Sequence, residues 1–202
     1  MSKKRKYLSV IILLILLMGI IIIWAFINKD NHDFQSEFLS NPYIKTECIR
    51  LGIKPRVYIS IIYGELKNNF NEWDRFDNFR AKIGMDPSVG FAQIKISTAE
   101  WIEDKYSGNK FIYKSNTHDE LVHKLINDST NILYSVFYIK LIMDKLIFKF
   151  KREPTIKLLA SYYGSGIDYY REDNIDILYY NQIGITAQEF YDSDKLLDYF
   201  PK

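Results

Sequence analysis

The sequence predicts a mainly α-helical domain preceded by one N-terminal transmembrane helix. An uncharged run of 21 residues occupies positions 7–27, and the longest soluble segment repeats apolar side chains at steps of three and four, the spacing of a buried helical stripe. No series of alternating apolar and polar residues indicates a larger sheet. A small β-hairpin between the first helix of the domain and Gly90 is compatible with this pattern.

The run at 7–27 directly follows the basic cluster Lys3-Lys4-Arg5-Lys6. As a helix it would extend roughly 30 Å, enough to cross the hydrocarbon core of a bilayer. A cleaved secretory signal has a shorter apolar region of about 7 to 15 residues and a small-x-small cleavage site. The end of this run, Trp24-Ala25-Phe26-Ile27-Asn28, offers a poor site. We therefore predict a retained anchor.

This anchor defines the domain organisation. Basic residues favour the cytoplasmic side of a membrane, so the tail 1–6 is predicted to lie inside and Asn28 onward outside. The polar residues 28–42 suit a linker, and 43–202 form the domain. We expect a single-pass protein of the cytoplasmic membrane whose domain lies on the outer face, in the periplasm or on the cell-wall side.

Net charge argues against a nucleic-acid partner. The chain has 27 basic and 25 acidic side chains, but four basic ones precede the anchor and no acidic residue precedes Asp30. The external part therefore has no basic excess, which nucleic-acid binding would require. Cys48 is the only cysteine, so no intrachain disulfide can form, and we expect a buried or free thiol.

Helix signals place the first elements of the domain. Pro55 suits the first position of a helix, where its missing N–H costs nothing. Residues 67–89 are polar with Gly84 and Asp86-Pro87, and predict a loop with at most one helical turn. Capping boxes, in which a hydroxyl and a Glu satisfy helix N–H groups, are predicted at 97–100 and 117–120.

The longest helix is predicted over 129–150. Its buried stripe follows the apolar spacing of Ile132, Val136, Ile139, Met143, Leu146 and Phe150. Pro154 opens a further helix that ends in the glycines of Tyr163-Gly164-Ser165-Gly166. The tail 168–202 is rich in Tyr and Asp, and predicts only one short helix.

Glu65 is the strongest candidate for chemistry. It lies in the apolar helix predicted over 55–66, and Ile61 and Ile62 precede it by four and three positions, so all three share a face. Removal from water raises the free energy of the ionised form, so such a carboxyl holds its proton to higher pH. A general acid requires this property.

Three further motifs follow Glu65 in the chain: Gly90-Phe91-Ala92-Gln93-Ile94 before a helix with Thr98-Ala99, then Asp128-Ser129-Thr130-Asn131-Ile132, then Leu159-Ala160-Ser161-Tyr162-Tyr163-Gly164-Ser165-Gly166. This order resembles the lytic transglycosylases of the soluble-lytic-transglycosylase type, a bacterial branch of the lysozyme-like superfamily. The resemblance covers about 55–166 and implies a lysozyme-like helical domain that cleaves peptidoglycan glycan strands.

The resemblance also implies roles for individual residues. Glu65 would be the catalytic acid and base, Gln93 would line the sugar groove, and Tyr163 would contact the catalytic carboxyl. Asn131 matches the helix asparagine of the motif, for which substrate binding and a structural role both stay open. Phe91 is a candidate to stack on a sugar face, with core packing as the alternative.

The chain departs from the family pattern at three points. Leu66 follows the Glu where the family usually has Ser, Gly164 replaces the usual Asn, and Gly90 lies 25 positions after Glu65, a wider gap than in the commonest members. These departures keep open a catalytically inactive lysozyme-like module that binds glycan and scaffolds a wall-spanning protein complex.

The implied reaction breaks the β-1,4 bond between N-acetylmuramic acid and N-acetylglucosamine and leaves a 1,6-anhydro end, without a metal or organic cofactor. A hydrolytic muramidase is the close alternative, because a second carboxylate facing Glu65 would activate water. The candidates for that carboxylate are Asp74, Asp77 and Asp86. A metal site is not predicted, since His118 and His123 are five residues apart and not one helical turn.

Overall fold

The computed structural model describes residues 16–19, 39, 41–69, 74–106, 108, 112–171 and 180–196. Backbone contacts divide the chain into two units, Met1–Asn41 and Pro42–Lys202. The predicted anchor and linker lie almost entirely outside the described residues. Within those residues, no helix combines the length and the apolar character needed to cross a membrane.

The second unit is mainly helical, as predicted, and contains one short β-hairpin. Its helices are α1 Pro42–Leu51, α2 Pro55–Asn69, α3 Asp74–Lys82, α4 Ile96–Tyr106, α5 His118–Ile126, α6 Asp128–Phe150, α7 Ile156–Arg171 and α8 Gln182–Asp192. Strands β1 Ser88–Val89 and β2 Ile94–Lys95 lie between α3 and α4, and a 3₁₀ turn at Asp194–Leu196 follows α8.

Two of the predicted helix-start signals are confirmed, the capping box at 97–100 is not, and the helix predicted to open at Pro154 begins at Ile156. Helix α2 begins at Pro55, and the Thr117 side chain caps α5 by accepting a hydrogen bond from the Glu120 amide. Helix α4 begins at Ile96, one residue before the predicted capping box. Both the amide and the hydroxyl of Ser97 donate to Asp86 at 2.8 Å, so an aspartate from the preceding loop fills the role of the cap.

Helix α6 confirms the predicted buried stripe. It begins one residue before the predicted start, with Asn127 as its N-cap. Ile132, Val136, Ile139 and Leu146 of the stripe are buried, while Met143 and Phe150 are only partly covered. The buried face packs against α1, α5 and α7, so α6 is the scaffold on which the other helices are arranged.

One region predicted as a loop is largely helical. The loop predicted over 67–89 contains the last turn of α2 and the whole of α3. Helix α3 has few apolar residues, so its sequence carries no buried stripe that periodicity could detect. The one short helix predicted for the tail is α8, which packs against both α2 and α7. The glycines were predicted to end α7, but they only interrupt it: Gly166 has a φ of 77° and a ψ of −174°, and the helix continues to Arg171.

The hairpin brackets Gly90 instead of preceding it. Its strands are antiparallel, with Ser88 opposite Lys95 and Val89 opposite Ile94. The turn between the strands closes through a hydrogen bond of 3.0 Å from the Gln93 amide to the Gly90 carbonyl. This arrangement places Gln93 at the point where the hairpin faces α2.

Candidate active site

Glu65 lies where α2, α7 and the hairpin approach one another. Ile61 and Ile62 on its face of α2 have no exposed surface, and the Glu65 side chain is itself only 5% exposed. Helix α2 continues for one turn beyond its predicted end, so Asn69 sits four residues after Glu65 on the same face. Its side-chain amide donates a hydrogen bond of 2.7 Å to Glu65 Oε1.

The two carboxyl oxygens of Glu65 have different surroundings. Oε1 has the Asn69 amide, whereas Oε2 is buried and no described residue donates a hydrogen bond to it. Burial raises the pKa of Glu65 above its ordinary value of 4.5, while the Asn69 bond and the positive charge of Lys95 only partly oppose this effect. The raised pKa favours the protonated form, which is the form that a general acid needs.

Two cavities meet at Glu65, with volumes of about 330 and 240 Å³. Both are lined by Glu65, Asn69, Ser88 and Gln93, so they form one cleft with two lobes. The larger lobe is also lined by Asn68, Asp77, Arg80 and Pro87. The smaller lobe is completed by Ile94, Lys95, Thr98, Tyr138, Tyr163, Gly164 and Gly166.

Gln93 borders both lobes, beside Glu65. Its φ is 53°, in the left-handed region that residues other than glycine rarely occupy. Such a backbone costs on the order of 1 kcal/mol and is typical of functional sites. The side-chain amide donates to the Gly90 carbonyl at 3.1 Å, which holds the side chain over the turn.

Asn131 holds the hairpin turn from behind and has no exposed surface. Its Oδ1 accepts from the Ala92 amide at 2.7 Å, and its Nδ2 donates to the carbonyls of Val89 and Leu125 at 2.9 and 2.8 Å. These hydrogen bonds all go to backbone groups, and Asn131 lines neither lobe of the cleft. Of the two roles that the sequence leaves open for Asn131, this geometry favours the structural one.

The hydrogen bonds of Asn131, called here the asparagine clamp, require glycine at position 90, where the turn begins. Gly90 has a φ of 72°, and a Cβ there would lie 2.3 Å from both Asn131 Nδ2 and the Leu125 carbonyl oxygen. Only glycine therefore lets the turn approach α6 closely enough for Asn131 to bond Val89. The two motifs therefore act together: Gly90 permits the close approach, and Asn131 makes the hydrogen bonds that hold the turn.

Tyr163 lines the smaller lobe and is 4% exposed. Its hydroxyl donates to the Ala92 carbonyl at 2.6 Å. A phenol has one proton to donate, so the predicted contact with Glu65 is not a hydrogen bond that Tyr163 donates. Tyr163 thus shares the cleft wall with Glu65 and braces the turn that carries Gln93.

Of Phe91 and the two residues that depart from the family motif, Leu66 and Gly164, only Gly164 lines the cleft. Phe91 is half-buried and lines neither lobe, so the cleft gives no support to its predicted stacking role. Leu66 is buried and also lies outside the lining. Gly164 lies in the lining, and a Cβ there would be 2.8 Å from Glu65 Oε2. An asparagine side chain would therefore collide with the carboxyl in this arrangement.

One of the three candidate second carboxylates lies in the cleft. Asp77 lines the larger lobe with Glu65, is 9% exposed and pairs with Arg80 at 3.1 Å. Asp86 caps α4 through Ser97, and the Asp74 side chain lies outside the described part of the structure. Among the described residues, no group of three or more His, Cys, Asp or Glu side chains could hold a metal ion.

Sequence reasoning missed three contributors to this site. Asn69 was detectable from its i, i+4 spacing to Glu65, but the predicted helix ended at Leu66. Lys95 reaches the cleft because the hairpin presents it there, and no local pattern indicates this placement. Helix α8 contacts the Glu65 region only through tertiary packing.

The titration of Glu65 makes the stability of the fold depend on pH. Below its ordinary pKa of 4.5, both the folded and the unfolded chain hold the proton. At higher pH the unfolded chain releases the proton first, so the free energy of unfolding falls as pH rises through the raised folded pKa. Urea unfolding from about pH 4 to 8 should show this decline in wild type and a smaller one in Glu65→Gln. If the free energy of unfolding declined equally with pH in the two proteins, the contribution assigned to Glu65 would be refuted.

No family model, curated protein or solved structure matches this chain. Its function is therefore inferred from the cleft and its residues.

Proposed function

We propose that this protein is a membrane-anchored peptidoglycan lytic transglycosylase with a lysozyme-like domain. The observation that carries the proposal is a single carboxyl, Glu65, that is buried and short of hydrogen-bond donors, yet lines a cleft whose larger lobe is mainly polar. A structural carboxylate is normally paired or fully hydrogen-bonded when buried. Glu103, with several donors, is an example in the same chain.

The first half of the reaction needs an acid. Glu65 donates its proton to the oxygen of the glycosidic bond, the bond breaks, and the N-acetylglucosamine hydroxyl leaves. Positive charge then develops at the anomeric carbon of N-acetylmuramic acid, beside a carboxyl that has become negative. Asn69 and Lys95 are placed to stabilise that negative form, which burial alone would oppose.

The second half needs a base. Ionised Glu65 removes a proton from the 6-hydroxyl of the same muramic acid, and the oxygen attacks the anomeric carbon. The product is a 1,6-anhydro end, and Glu65 regains the proton it gave. Because the attacking hydroxyl belongs to the same sugar, the step has the entropy advantage of an intramolecular reaction. One carboxyl thus completes the cycle without a cofactor.

Digestion of purified peptidoglycan tests this proposal. Full-length protein in detergent micelles is incubated with isolated glycan strands, and the released fragments are identified by mass. Fragments with 1,6-anhydro ends would support the proposal, and reducing ends would support hydrolysis instead. Absence of fragments from folded protein would support the binding module.

Hydrolysis is the second candidate because Asp77 shares the larger lobe with Glu65. As the base of a hydrolase it would activate a water molecule across the scissile bond. In the favoured mechanism it does not touch the reacting atoms, and its ion pair with Arg80 shapes the cleft wall. The position of Asp77 in the larger lobe is therefore compatible with a general base and with a residue of the cleft wall.

Substitution of Asp77 separates the two mechanisms. We expect Asp77→Asn to lower kcat/KM by less than about tenfold, whereas loss of a general base would cost about 100-fold or more. Arg80→Gln is the matched control because it breaks the same ion pair but keeps the carboxylate. A large loss confined to Asp77→Asn would favour hydrolysis.

A further inference from the structure

The C-terminal helix α8 forms the wall behind Glu65. It lies outside 55–166, the part of the chain that carries the catalytic motifs. Ile183 in its first turn is 7% exposed. A Cβ on Gly164 would lie 2.3 Å from Ile183 Cδ1 and 2.8 Å from Glu65 Oε2. The terminal methyl group and the unpartnered oxygen therefore border the same small gap.

Close packing fixes α8 in this position. A Cβ on Gly64, the residue before Glu65, would lie 2.6 Å from the Ile183 carbonyl oxygen. A Cβ on Gly184 would lie 2.1 Å from Ser161 Oγ in α7. Helix α8 therefore packs closely against α2 at Gly64 and against α7 at Gly184, because neither glycine has a side chain.

Hydrogen bonds hold both ends of α8. At its start, Asn181 caps the helix and donates to the Ser161 carbonyl at 3.1 Å. At its end, the guanidinium of Arg56 in α2, 2% exposed, donates to the main-chain carbonyls of Tyr191 and Ser193. The helix is therefore attached to α2 and α7, the helices that bring Glu65 and Tyr163 to the cleft.

Polar groups reach Glu65 from the other sides. Lys95 comes from β2, Tyr138 from α6 and Tyr163 from α7, and Asp77 and Arg80 come from α3. No residue of α8 lines either lobe. Helix α8 makes a polar contact with the larger lobe through Thr186, which accepts a hydrogen bond of 3.1 Å from Asn68. Next to Glu65 Oε2 it places the apolar side chain of Ile183.

We propose that Ile183 is a positioning residue for the reaction: through the space left by Gly164, its terminal methyl group excludes water from Glu65 Oε2 and so disfavours the ionised carboxyl. This inference rests on the proposed function for its catalytic consequence, but the exclusion of water can be measured separately. Glycine at position 164 leaves these two groups where they are, since a Cβ there would require both Ile183 Cδ1 and Glu65 Oε2 to shift.

Three substitutions at Ile183 test the role of the methyl group. Ile183→Val deletes Cδ1 alone and leaves a small cavity in its place. Ile183→Thr has nearly the shape of the valine variant but introduces a hydroxyl. Ile183→Leu retains a terminal methyl group. Phe190→Leu is the control, because Phe190 anchors α8 by stacking on Tyr63 with ring centroids 3.8 Å apart.

The readout is the titration of Glu65 in full-length protein, followed by carbon NMR of labelled glutamate and assigned with Glu65→Gln. We expect the Glu65 pKa to fall in Ile183→Val, to fall further in Ile183→Thr, and to stay near wild type in Ile183→Leu and Phe190→Leu. The alkaline limb of the kcat/KM profile should move with it. At a pH above the optimum, activity of Ile183→Thr should fall about tenfold.

Two results would overturn the inference: an unchanged Glu65 titration in both Ile183→Val and Ile183→Thr, or an equal change in Phe190→Leu. A wild-type protein that cuts no glycan would defeat the proposed function alone, because the titration would still report whether Ile183 protects Glu65. A shifted pH profile with an unshifted titration would also count against the inference.

Discussion

Replacing Glu65 with Gln is expected to abolish glycan cleavage while leaving the fold intact. Glutamine has nearly the same shape and can still accept the Asn69 hydrogen bond, but it neither gives nor takes the catalytic proton. Because one residue serves as both acid and base, we expect activity to fall by about 10³-fold or more. Stability at neutral pH should be equal or higher, since a buried ionisable group is removed. Fragment release and urea unfolding measure the two effects.

Glu103 offers a matched control for this substitution. It is as buried as Glu65, at 3% exposure, but Ser115, Lys124 and Tyr134 all donate to its carboxylate. Glu103→Gln should therefore reduce stability by about 2 kcal/mol and retain most activity. The prediction is refuted if both variants lose activity equally, or if Glu65→Gln still releases fragments at the wild-type rate.

Replacing Asn131 with Ala is expected to cause the largest loss of stability. Three buried backbone groups, the Ala92 amide and the carbonyls of Val89 and Leu125, would lose their partner. At about 1 kcal/mol or more for each unsatisfied group, the free energy of unfolding should fall by about 3 kcal/mol or more. Activity should fall as well, because the turn carrying Gln93 loses its attachment to α6.

Asn127 provides the comparison for Asn131. It is the N-cap of α6, and its side chain accepts from the Thr130 amide at 3.2 Å in an exposed position. Asn127→Ala should cost about 1 kcal/mol. Urea unfolding of both variants measures the difference. Similar losses in the two variants would show that the buried clamp is not the main attachment of the hairpin.

Periodicity predicted the helices whose apolar faces are continuous. The stripe along α6 and the placement of Glu65 beside Ile61 and Ile62 both follow from it, because burial on one face leaves a repeat of 3.6 residues in the sequence. Helix α3 leaves no such repeat. Its polar residues line the cleft on one side, as Asp77 and Arg80 show, so the sequence there has the composition of a loop.

The rest of the site depends on tertiary packing. Helix α8 reaches α2 and α7 because Gly64 and Gly184 permit close approach, and a lone glycine in a helix gives no indication of its neighbour. Lys95 and the Oε2 side of Glu65 likewise acquire their surroundings only after folding. Sequence motifs therefore pointed to Glu65, while the groups that surround its carboxyl became visible only in the structure.

The packing of α8 gives Gly164 a different interpretation from the one that the sequence suggests. From the sequence it is a departure from the family motif and an argument for an inactive module. In the structure it provides the space in which Glu65 Oε2 and Ile183 meet. Its substitution by asparagine would bring a side chain into that space, so we interpret the glycine as part of an alternative way to surround the same carboxyl.

Cleavage of peptidoglycan in water enriched in oxygen-18 tests the central claim most directly. If Glu65 acts alone as acid and base, the new ends carry a 1,6-anhydro ring with no label, and Glu65→Gln yields none of them. Labelled reducing ends, or unlabelled anhydro ends formed equally by wild type and Glu65→Gln, would contradict the account.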